Sequence, residues 1–168
     1  MLNPDEVILM REKRDCHVPV IAMATGNTYE VAAKALNHKR LGGLESPIFS
    51  NPWNLYRSLI RLGFWKKNIT WRMLKKGQFI PNKTIVLVKN SLLEQHWVLH
   101  GGLQHMTHGN PLHIIYWGNS KEPIGIHQDD FKKMFLTSIP ICAFQVYEAN
   151  FWELMLVRFL SWFGYERL

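Results

Sequence analysis

The spacing of apolar and polar residues splits the chain into a helical first part and a stranded second part. Val18, Ile21, Ala22 and Ala24 recur at the close intervals of a buried helix that starts at Cys16. "TGN" around Gly26 supplies its stop, since glycine readily takes the left-handed conformation that ends helices. A second helix follows in "TYEVAAKAL" through Leu36, capped by Asn27 or Thr28, with Glu30 close behind the cap. After the Gly-, Ser- and Pro-punctuated loop "NHKRLGGLESPIFSNP", Trp53, Tyr56, Leu59, Ile60 and Leu62 predict a third helix, with Pro52 near its first turn and Gly63 at its end. Before Cys16, Asp5 to Arg14 reads as a short apolar strand or turn followed by a charged loop.

From "KTIVLVKN" onward the pattern changes to short, β-branched and aromatic runs. That run, "QHWVLHG" from Gln95, "LHIIYWGN" from Leu112 and "ICAFQVYE" from Ile141 read as strands, with "QDDFKKMFL" as an intervening helix capped by Gln128 or Asp129. Helices first and strands later, without regular alternation, predict an α+β fold. The final segment, "ANFWELMLVRFLSWFGYERL", is an apolar helix interrupted by Glu153 and Arg158. Its apolar run falls short of the ~20 residues a membrane span needs. It is expected to pack on the domain or on a second copy, with an interfacial membrane helix as the alternative. The expected organisation is one domain over residues 1–147 and this helix over 148–168.

Composition narrows the class. A chain of 168 residues with 47% hydrophobic and 20% charged residues can bury a full core. The two cysteines, Cys16 and Cys142, are far apart and in no metal-binding spacing, which argues against a disulfide framework or a zinc ribbon and for a reducing, cytoplasmic setting. The apolar run in "MLNPDEVILMREKRDC" is too short for a signal-peptide core. A formal charge of +7 favours acidic partners, nucleic acid or an anionic membrane surface, although scattered charges suit a solvated basic face. "WKKNITWRMLKKG" interleaves aromatic and basic residues as single-strand binders do, but no recognised nucleic-acid module surrounds it, and the plainer reading is a surface strand with snorkelling lysines. His96, His100, His105, His108 and His113 cluster without an acid and at irregular spacing, so neither a metal nor a cofactor is implied, and His105 and His108 suit a hairpin loop.

The candidate chemistry lies at Cys16. Free N–H groups and the dipole at a helix start favour a thiolate, and the same N–H groups can hold the oxyanion formed when it attacks a carbonyl. Strand alternation puts His96, Val98 and His100 on one face and Trp97 and Leu99 on the other, which makes His96 a candidate base. Asn119, at the end of the next strand, can orient its ring. Cys142 sits in an apolar strand and reads as a buried structural thiol.

Cys, His, Asn is the chain order of papain-like peptidases, and the first motif resembles one branch of them. "DCHVPVIAMATGNTYEVAAKAL" is similar to the start of the bacteriocin-processing peptidases, which cleave leader peptides after a double glycine; Asp15, Cys16, Ala22, Met23, Gly26 and Tyr29 carry the match. "HWVL" with His96 resembles the family's histidine strand, and "IGIHQDDFKKMF" the loop and Phe-containing helix after its acid, so the likeness covers residues 8 to 136. The resemblance implies a papain-like fold, N-terminal helices packed on a C-terminal antiparallel sheet, and a cysteine peptidase or related thiol hydrolase acting on a peptide or protein amide through Cys16, His96 and Asn119. Deamidation would use the same acyl-enzyme.

The sequence departs from the family at three places. His17 replaces the glycine after the cysteine, where it would crowd the entrance to the thiol and could titrate near neutrality. Met10 occupies the position of the oxyanion-holding glutamine, and the family's aspartate aligns with Trp117 or Asn119, of which only Asn119 can orient a histidine. With no ATP-binding exporter module, the expectation is a free-standing peptidase-like domain. The alternatives are an inactive domain of the same fold that binds a protein or peptide partner and, with less support, a basic nucleic-acid-binding protein.

Overall fold

Helix α1 (His17–Thr25) begins one residue after Cys16, and every one of its residues is buried. Apart from His17 and Thr25 its residues are apolar, as suits a helix enclosed on all sides. Gly26 ends it in the left-handed conformation (φ 68°), its N–H bonded to the carbonyl of Ala22. Helix α2 (Tyr29–Ala35) is capped by Thr28, whose hydroxyl accepts the N–H of Val31. Helix α3 (Pro52–Arg61) turns Leu55, Ser58 and Leu59 inward, and Arg61 donates to the carbonyl of Ala35 at 2.7 Å, a cation at the negative end of α2. The computed structural model describes residues 7–11, 15–36, 52–69, 80–89, 95–104, 112–118, 120–134 and 143–162.

Six strands follow among the described residues: β1 (Phe64–Ile69), β2 (Thr84–Lys89), β3 (Gln95–Gln104), β4 (Leu112–Tyr116), β5 (Ile124–His127) and β6 (Ala143–Glu148). They form one antiparallel sheet in the order β1-β6-β2-β3-β4-β5. Helix α4 (Gln128–Met134) follows β5 directly, and α5 (Phe151–Trp162) follows β6. Helix α1 packs across β3, β2 and β6, so the core lies between it and the sheet, with Ile21, Leu59, Trp97, Tyr116 and Phe144 among its fully buried side chains.

The helices, β2, β3, β4 and β6 match the sequence pattern. The surface strand offered for "WKKNITWRMLKKG" is present as β1, an edge strand whose Lys66 and Lys67 can face solvent. One element differs from the pattern. The stretch expected as a loop, Ile124 to His127, forms the opposite edge strand; it is four residues long, includes Gly125 and is largely exposed, so it carries no buried alternation to announce it.

Helix α5 opens with a reciprocal cap: Glu153 accepts the N–H of Asn150, and Asn150 accepts the N–H of Glu153, each at 2.9 Å. The Tyr147 hydroxyl donates to Glu153 at 3.0 Å, and Ala149 donates to the carbonyl of Gly63 at 2.9 Å, which ties the helix start to the sheet. Phe151, Trp152, Met155, Leu156 and Phe159 are exposed on it, so the domain does not cover that apolar stripe. No described helix is long and apolar enough to cross a membrane.

Candidate functional site

Cys16 is the N-cap of α1, and its side chain makes no capping bond. The backbone N–H groups of Trp97 on β3, of Cys16 itself and of His17 favour negative charge on the thiol. The chain is thus folded so that the start of α1 meets the middle of the sheet at Trp97, one peptide bond from His96. Burial nevertheless wins: it pushes the Cys16 thiol up from its ordinary value, the Asp15 carboxylate pushes the same way, and the N–H groups offset only part of this. The thiolate expected from a helix N-terminus is therefore not the resting state at neutral pH. Enclosure at 8% exposure outweighs the helix end.

His96 lies on β3 with its ring 5.7 Å from that of Trp117, tilted by 54°. Trp117 follows β4, the strand paired with β3, so the two rings meet because the strands do. The alignment of the family's aspartate with Trp117 was the signal for this contact, though it did not reveal that the indole packs on the imidazole. Asn119, Cys142, His105 and His108 lie outside the described residues.

The segment before Cys16 forms the third wall. Met10 donates its N–H to the carbonyl of Gly118 at 2.6 Å. A Cβ on Gly118 would sit 2.7 Å from Pro19 Cγ and 3.0 Å from Met10 Cγ, so the absence of a side chain lets this segment, the first turn of α1 and the end of β4 converge. Met10 packs against the core, and its thioether offers no donor. His17 does not crowd an open entrance as its position suggested: in the first turn of a helix buried all round, its side chain is enclosed by the protein.

The first motif is also a structural unit. The Tyr29 hydroxyl donates to Asp15 Oδ2, and Ala22 accepts the N–H groups of Gly26 and Asn27 that close α1. Further along the face that carries His96, His100 Nε2 and His113 Nδ1 are 3.0 Å apart, stacked on Phe131 of α4. They form a buried hydrogen-bonded pair, and no group of three or more metal-ligating side chains occurs among the described residues.

No protein-family model matches the sequence, and no curated protein matches it. Solved structures do match the fold. A double-glycine-motif protease from an AMS/PCAT transporter, solved in complex with the leader peptide, superposes with a TM-score of 0.58 at 19% identity, covering 82% of this chain and 89% of that one. The peptidase domain of Streptococcus ComA, a bifunctional ABC transporter of a quorum-sensing pathway, gives 0.57 at 15% identity, covering 85% and 96%. The N-terminal peptidase domain of a toxin secretion ATP-binding protein from Vibrio parahaemolyticus gives 0.50 at 16%, covering 82% and 98%. The chain has the α+β fold of these peptidase domains, helices first and an antiparallel sheet after them.

Proposed function

We propose that this chain is a papain-like thiol hydrolase that cuts a peptide or protein amide, with Cys16 as nucleophile, His96 as proton acceptor and Asn119 orienting the imidazole. The observation that carries the reading is the packing of α1, which starts one residue after Cys16, against β3, the strand that carries His96. Because burial holds the thiol protonated, attack and proton transfer are coupled: sulfur bonds to the carbonyl carbon as His96 accepts the thiol proton. The N–H groups around the thiol stabilise the oxyanion. Collapse breaks the C–N bond, the amine leaves with the proton from His96, and water then hydrolyses the thioester.

A peptide is the favoured substrate class, because a fold neighbour was solved with a leader peptide bound. Met10 favours the second reading, a domain that binds peptide and turns it over slowly or not at all, since loss of one oxyanion donor typically costs ~10²–10³ in rate. The test is digestion of a broad peptide library, read by mass spectrometry, by the native chain and by Cys16→Ala. Cleavage by the native chain alone supports the hydrolase. Binding by both with cleavage by neither leaves the peptide-binding domain.

A further inference from the structure

A carboxylate beside a nucleophilic thiol opposes the thiolate, so the place of Asp15 calls for a physical reason. Its side chain is buried, at 1% exposure, and it directly precedes Cys16. Its Oδ2 accepts the backbone N–H of Arg11 at 3.1 Å and the hydroxyl of Tyr29, while its main-chain carbonyl accepts the N–H of Val18 at 2.8 Å. The Arg11 guanidinium lies 4.3 Å from the centre of the Tyr29 ring and pairs with Glu30. The neighbouring Met10 is the residue whose N–H reaches Gly118. One carboxylate therefore joins the 7–11 segment, the start of α1 and the first residue of α2.

We propose that Asp15 is the positioning residue of this site: its carboxylate holds the 7–11 segment and α2 against the start of α1, and so fixes the N–H groups around the Cys16 thiol and the Met10–Gly118 contact. The proposal rests on the hydrolase reading for what the site does, but not for how Asp15 is tested. The charge acting on the thiol is that of Asp15, opposed by the backbone N–H groups of Trp97, Cys16 and His17, and Arg11 and Tyr29 are joined to Asp15. Position needs an acceptor oxygen, whereas the negative charge is a burden on the thiol. Asparagine separates the two, since its carbonyl can accept from Arg11 and Tyr29 without the charge.

The experiment measures, on the full chain, the pH–rate profile of iodoacetamide alkylation at Cys16 by peptide mass spectrometry, together with hydrogen exchange of residues 7–11. The variants are Asp15→Asn, Asp15→Ala and Tyr29→Phe. In Asp15→Asn the alkylation midpoint should fall by about one pH unit, with exchange in 7–11 unchanged. In Asp15→Ala exchange in 7–11 should rise at least about tenfold, and Tyr29→Phe should raise it less without moving the midpoint by as much. An unchanged midpoint in Asp15→Asn, or native exchange in both Asp15→Ala and Tyr29→Phe, overturns the proposal. If Asp15→Ala does not fold, Asp15→Asn and Tyr29→Phe still decide it. Neither readout needs turnover, so a native chain that cuts no peptide would remove the hydrolase and leave the role of Asp15 to these results.

Discussion

Met10 shows how one side chain can set the power of a site without altering its frame. Its backbone is held to Gly118 and its side chain packs against the core where the resemblance puts a glutamine donor. Glutamine is close to methionine in length, so Met10→Gln can add an N–H at little steric cost. If the oxyanion forms there, peptide cleavage should rise by ~10²-fold, measured as kcat/KM on any peptide the native chain cuts. At this scale Asp15 and Tyr29 stood out only through the resemblance of the first motif to the processing peptidases, and the structure joins them by a hydrogen bond. The raised thiol was not legible, because it depends on how completely β3 and the neighbouring core enclose Cys16, and a local pattern carries no record of a wall eighty residues away.

Among the elements, β3 and β4 carry a feature that should make stability depend on acid. His100 is fully buried; its Nδ1 lies 3.3 Å from the carbonyl of Pro81, which also accepts the Thr84 hydroxyl at 2.7 Å, and its Nε2 faces His113. Burial first, and then the facing His113, push its pKa down to about 4 from 6.5, with the Pro81 carbonyl offsetting a little. The unfolded chain thus binds the proton more readily, so the contribution is complete above about 6.5 and is lost as pH falls toward 4. The loss should be about 3 kcal/mol, read by denaturant unfolding at pH 7.5 and near 4 and compared with His100→Gln, whose curve should be flatter. Period and caps made α1 to α4 readable, and β-branched runs did the same for β2 and β6. Edge strands are harder to read, because residues that face solvent on one side and have one neighbour need no apolar run: β1 was legible only as a surface strand competing with a nucleic-acid reading, and β5 escaped.

The whole molecule keeps its core between α1 and the sheet and leaves the stripe on α5 outside. The apolar character of that helix was plain in the sequence. Its exposure was not, since composition records hydrophobicity and not direction. Trp152 is 78% exposed, so Trp152→Ser should change unfolding free energy by no more than about 0.5 kcal/mol in chemical denaturation. A larger loss would mean that α5 contributes to the core after all.

Strand order has a further consequence, for synthesis. Strand β6 lies between β1 and β2, and among the described residues β1 has no other neighbour in the sheet. During translation β1 emerges early yet stays unpaired until Glu148 has left the ribosome, so both it and the inner edge of β2 wait as open templates for a strand made much later. The chain is therefore most exposed to misassembly not at its candidate site but in the interval before its last strand slots into the gap, and its folding rate should be governed by that long-range closure.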